Sequence, residues 1–151
     1  MSEQTSKNIA KTFDIIFHCS SLIFNISISF LYIAAKFENT KGYQVFGAIV
    51  IFLILPYTLI LIGYLKQKEE RKITISLVVI LFYLFMELLL DYILMIPFRD
   101  ILALHIPYII VFYAAEFSII GVSFDKDRKI GFVVLITFFV LLGCLIYMFV
   151  D

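Results

Sequence analysis

The chain has no tryptophan, two histidines, two cysteines and three prolines. Cys19 and Cys144 lie in apolar segments, so they form neither a disulfide framework nor a zinc-ligand spacing. They are read as small core residues, unable to pair with each other because of an axial offset of about 12 Å. Two histidines cannot build a three-histidine metal centre. No phosphate-cradling glycine loop, CxxC pair, HExxH or GxSxG occurs. These absences give no catalytic residue, metal or cofactor to expect, and an enzyme is the weaker reading. Charge is scarce as well. Asp, Glu, Lys and Arg supply 16% of the 151 residues, where a soluble domain has about a quarter. Twelve basic residues balance twelve acidic ones, so nothing favours a nucleic-acid partner.

What is present is apolar: 63% of the chain, gathered into long runs. A helix needs about 20 apolar residues to climb ~30 Å of hydrocarbon. Five stretches qualify, at 13–35, 43–65, 73–96, 101–124 and 130–150. Backbone groups in lipid must bond within their own segment, so these are helices. The expected fold is all-α: one transmembrane domain over residues 1–151, with five helices and short loops. The expected last span stops at Asp151. The first run is read as a retained span rather than a signal peptide, since polar residues stud it and no A-x-A site ends it.

Basic residues collect on the cytoplasmic side of a membrane. Lys7, Lys11, Lys66, Lys68, Arg71, Lys72, Lys126, Arg128 and Lys129 share one side, against Lys36, Lys41 and Arg99 on the other. This asymmetry places the N-terminus in and the C-terminus out. Tyr32, Tyr43, Tyr92 and Tyr147 then fall near the outer interface.

The informative residues are polar ones inside the spans, because a mid-bilayer charge costs a few kcal/mol and must face the bundle interior. Asp14, His18, Ser21, Asn25 and Ser29 form one stripe within about 80° of arc on the first helix. Tyr83, Glu87 and Asp91 share a face of the third, and His105 and Glu116 of the fourth. Ser and Asn in such stripes usually pack as glue, and Asp14 is read as a solvated residue at a helix start. Glu87 lies about 21 Å into its helix, near mid-bilayer. The second and fifth helices are expected as apolar cover.

Glu87, Asp91, Glu116, His105, His18 and Asn25 are therefore the candidate ion- or proton-binding residues, spread in depth like the carboxylate and histidine chains of pumps. Asp91 and His105 sit at one level, near 27–28 Å, and are expected within reach of each other. Glu87 and Asp91 repel if both ionise, unless a cation stands between them, and Arg99 is the nearby fixed cation. A mixed Glu87–Asp91–His105 metal site is a weaker option. Pro56 interrupts the second span. Pro107 either kinks the fourth helix or delays its start to His105. Ala114, Ser118 and Gly121 are expected at a close helix contact.

The stretch Glu87-Leu-Leu-Leu-Asp91-Tyr-Ile-Leu, followed by Phe98-Arg99 and Pro107-Tyr108, resembles a group of small prokaryotic polytopic membrane proteins whose activity is uncharacterised. The resemblance covers residues 83–124 and implies only a multi-span fold; the expected location is a prokaryotic cytoplasmic membrane. Sterol isomerases, ceramidases and translocators are not resembled, given the lack of Trp and shortage of His. Three functions stay open: proton- or cation-coupled transport or ion binding; a non-catalytic subunit of a larger membrane complex; or a membrane enzyme or lipid-binding protein using Glu87, Asp91 and His105. The lipid bilayer is the expected partner. Five helices barely enclose a pathway, so transport favours a homo-oligomer.

Overall fold

The computed structural model describes residues 3–150, apart from the side chains of Glu3 and Ser6. The expected stop at Asp151 lies outside the described residues. Six α-helices account for the fold, with no strand among the described residues: α1 (Glu3–Lys36), α2 (Thr40–Phe52), α3 (Ile54–Lys66), α4 (Arg71–Glu87), α5 (Leu102–Lys126) and α6 (Arg128–Phe149). They make five rods long and apolar enough to cross a membrane, since α2 and α3 form a single rod. The rods close a ring. α1 packs on α2, α3 and α6; α5 packs on α6 and α4; α4 packs on α3.

Local chemistry sets the breaks. Pro56 has no N–H, so the Phe52 carbonyl loses its helical donor and the helix is interrupted at Leu53. α4 stops at Glu87 and continues as a wider π-helical turn over Leu88–Ile93, three residues short of the expected end. A 3-10 turn, Phe98–Asp100, then leads into α5. That helix starts at Leu102, so Pro107 sits inside it and the delayed start at His105 does not occur. Asn39 caps α2 by accepting from the Gly42 N–H, and Asp127 caps α6 by accepting from Lys129 and Ile130. α1 and α3 end on left-handed residues, Glu38 and Lys68. There the N–H groups of Asn39 and Glu69 reach back to Ala34 and Tyr64.

The interior is aromatic and aliphatic, built around Phe17, Phe24, Tyr57, Ile60, Leu77, Leu84 and Ile119. Large apolar side chains such as Phe52, Phe117 and Ile136 point outward. Such a surface suits hydrocarbon, where outward apolar groups cost nothing.

Four expectations change. α1 begins well before Asp14, so Asp14 is not at a helix start. It accepts a 2.6 Å hydrogen bond from the Tyr64 hydroxyl and stands 3.4 Å from Lys126. Lys126 also meets Glu69 at 2.6 Å, which ties α1, α3, α5 and the 67–70 loop together. The second and fifth rods are not merely apolar, because Tyr57 bonds Ser21 and Thr137 bonds Asn25. Ala114 and Gly121 face outward while Ser118 is half-buried, and a Cβ on Gly121 would meet nothing within 4 Å, so among the described residues Gly121 is not at a close helix contact. Cys19 is exposed rather than in the core, and both cysteines are free.

Candidate functional site: a carboxylate in a tyrosine-lined cavity

The π turn and the 3-10 turn bring the end of α4 and the start of α5 round one guanidinium. Arg99 Nη1 and Nη2 reach the two Asp91 carboxylate oxygens, each at 2.8 Å, in a bidentate pair. The same Nη2 is 3.4 Å from Glu87 Oε1. Arg99 also lies 4.4 Å from the Phe98 ring centre and 5.6 Å from that of Tyr108. Burial alone would push the Arg99 guanidinium down. The hydrogen bonds to Asp91 outweigh that and hold it above its ordinary value, so it is a permanent cation.

Glu87 differs from Asp91 in having little else. It is 5% exposed, and its Oε2 has no hydrogen-bond partner. The Tyr108 hydroxyl approaches the Glu87 carboxylate and is 3.1 Å from the Tyr83 hydroxyl. A partly open cavity of about 250 Å³ adjoins this point. Glu87, Arg99 and His105 supply its charged or titratable wall, and Tyr32, Tyr43, Tyr83, Tyr108 and Tyr113 its phenol wall. Aliphatic side chains from α1 and α6 complete it. His105 Nδ1 is 2.8 Å from the Arg99 carbonyl, an acceptor, so Nδ1 carries the proton and Nε2 is left for other partners.

The six candidates thus separate. Glu87, Asp91 and His105 join one assembly, but Asp91 and His105 are linked through Arg99 rather than to each other. Glu116 and Asn25 form a second assembly, both fully buried. With its amide turned one way, Asn25 Nδ2 donates to both Glu116 oxygens at 3.2 Å while Oδ1 accepts from Thr137 at 2.9 Å. Turned the other way, Nδ2 donates to Thr137 at 2.9 Å and to the Val134 carbonyl at 3.3 Å, and Oδ1 faces Glu116. The first suits a carboxylate and the second a protonated acid. His18 stands apart, buried beside the Phe17 ring, with Nε2 unpartnered. Ser21 and Ser29 bond the carbonyls one turn back, as packing residues do.

The sequence reading missed the phenol wall. Tyr32 and Tyr43 were expected at an outer belt, yet both line the cavity. The signal existed, because Tyr32 continues the α1 polar stripe three residues beyond Ser29. Among the described residues, no group of three or more His, Cys, Asp or Glu is placed to hold a metal ion. Comparison with protein-family models, curated proteins and solved structures gave no match, so the chemistry of the cavity carries the functional argument.

Proposed function

We propose that the chain is an integral membrane protein of five spans, N-terminus in and C-terminus out, that binds a proton or cation at Glu87 and moves it as part of transport. One observation carries this reading: Glu87, buried and with one carboxylate oxygen unpartnered, lines a cavity. A carboxylate kept only for packing would have its oxygens satisfied, because leaving one bare in a dry interior costs about 1–3 kcal/mol or more. Arg99 supports it further. By occupying Asp91 it keeps that carboxylate from competing and leaves Glu87 only a long contact.

A reading as a subunit of a larger complex is favoured by a different observation. Gly121 and Gly143 stand in open space, where a neighbouring helix has room to approach. Glu87→Gln in liposomes separates the two. Gln cannot titrate or balance charge, so loss of an ion- or pH-dependent signal with unchanged melting in detergent supports transport. An unchanged signal removes Glu87 from the mechanism and leaves the subunit reading.

A further inference from the structure

The walls of the cavity restrict the kind of cation it takes, an argument that rests on Glu87 being the binding group. We propose that the ligand is a small organic ammonium ion, held between the Glu87 carboxylate and the tyrosine rings.

Charge comes first. The acidic and basic groups lining the site are Glu87 from the third rod, Arg99 from the 3-10 turn and His105 from α5, beside five tyrosines, with Asp91 reaching it only through its pair with Arg99. Asp91 and Arg99 neutralise each other in their bidentate pair. The carboxylate of Glu87 is then left to be matched by one positive charge. A divalent ion would overshoot that balance. It would also need six or more oxygen ligands, or a cluster of acids and histidines, and the described residues contain no such cluster.

The chemistry of the lining comes next. A hard, strongly hydrated ion such as sodium needs oxygen atoms in place of its water. Here most of the wall is aromatic and aliphatic carbon, with Tyr32, Tyr83, Tyr108, Phe112 and Tyr113 supplying rings. Ring faces attract weakly hydrated cations through their quadrupole, by about 0.5–2 kcal/mol each. Arg99 makes such contacts beside the cavity, lying over Phe98 and near Tyr108, of which Tyr108 lines it. A methylated or primary ammonium uses both features: its charge is matched by the Glu87 carboxylate and its carbon shell meets the rings.

Size agrees. The cavity of about 250 Å³ is far larger than one dehydrated metal ion, and lies just below the ~300–1,000 Å³ of drug-sized sites. It holds a compact ligand.

The test uses the whole purified protein in detergent. Nine tyrosines and no tryptophan make tyrosine emission a direct reporter, and melting temperature is a second. The probes are choline, its uncharged isostere 3,3-dimethylbutan-1-ol, sodium chloride, and pH alone. Choline should saturate and raise the melting temperature, with the isostere about tenfold weaker or worse. Glu87→Gln should abolish the response, and Tyr32→Leu should weaken it severalfold. Equal binding of choline and isostere overturns the proposal, because the cavity would then be selecting shape and not charge. A Glu87-dependent response to sodium or pH without one to choline also overturns it, while leaving Glu87 as the ion site. No Glu87-dependent response to any probe overturns both. Should Glu87→Gln fail to fold, the choline-to-isostere ratio in the unaltered protein still decides.

Discussion

Arg99 grips Asp91 with two 2.8 Å bonds and touches Glu87 only at 3.4 Å, so one guanidinium serves two carboxylates unequally. The inequality predicts an order among variants. Arg99→Gln leaves both carboxylates facing each other without a cation, and Asp91→Asn leaves Arg99 free to turn fully to Glu87. Breaking a buried pair costs about 3–5 kcal/mol, reduced here to roughly 1–3 because the Arg99 side chain is 38% exposed. Arg99→Gln should therefore melt well below Asp91→Asn at neutral pH. Equal melting temperatures would show that Arg99 contributes no charge compensation.

The rods were legible in the sequence because hydrophobic length is a long-range signal that local details barely disturb. Their breaks were only half legible. Pro56 announces the interruption at Leu53 through its missing N–H, whereas no residue in Leu88–Ile93 announces a π turn. The site was legible where polarity followed an exact helical spacing, as for Glu87 with Asp91 or the α1 stripe. Periodicity gives a face and a depth but not a rotation about the partner helix. It could not show that Arg99 would come between Asp91 and His105, or that α6 would offer Thr137 to Asn25. Tyrosine was ambiguous for a physical reason: one ring end is apolar and the other polar, so it suits an interfacial belt and a cavity wall alike.

Two glycines should respond oppositely to the same change. At Gly131 a Cβ would come within 2.7 Å of the Phe124 ring and 2.9 Å of its Cα, and backbone cannot retreat as a flexible side chain can. Gly131→Ala should cost about 1–3 kcal/mol, the usual effect of overpacking. At Gly143 nothing lies within 4 Å, so Gly143→Ala should stabilise by up to about 1 kcal/mol through helix propensity. Thermal melting of both variants in one detergent checks the contrast. A destabilised Gly143→Ala would mean that another chain already packs against α6.

The proposed topology rests on the basic asymmetry. A reporter joined after Asp151 should be active only outside the cytoplasm, and one placed in the 67–70 loop only inside. Cytoplasmic activity at Asp151 would reverse the orientation or remove a span. Arg99 and the α6 residues Leu145, Met148 and Phe149 line one cavity, so the 3-10 turn and the end of α6 lie at the same end of the bundle in either orientation.

The Glu116 assembly gives a prediction in which pH sets the sign. Asn25 is its natural partner because an amide offers a donor to a carboxylate and an acceptor to a carboxylic acid, so it satisfies either form at 3.2 Å. Asn25→Asp removes that choice. Two fully buried carboxyl groups would then face each other, and they cannot both ionise without strong repulsion. One shared proton relieves it. Stability of Asn25→Asp relative to the parent should therefore rise as pH falls, and the deficit should be largest at alkaline pH. Asn25→Leu should instead lose about 1–3 kcal/mol, because an apolar side chain leaves Glu116 without a partner at any pH. Glu116→Gln should be nearly silent in melting temperature at pH 5, since Gln and Asn can exchange donor for acceptor across the same gap, and should flatten the loss of stability toward alkaline pH, since Gln cannot ionise. Melting curves from pH 5 to 9 on the three variants test the set. A flat Asn25→Asp profile would mean that water or another cation already reaches Glu116, and the dry, mutually satisfied assembly described above would be wrong.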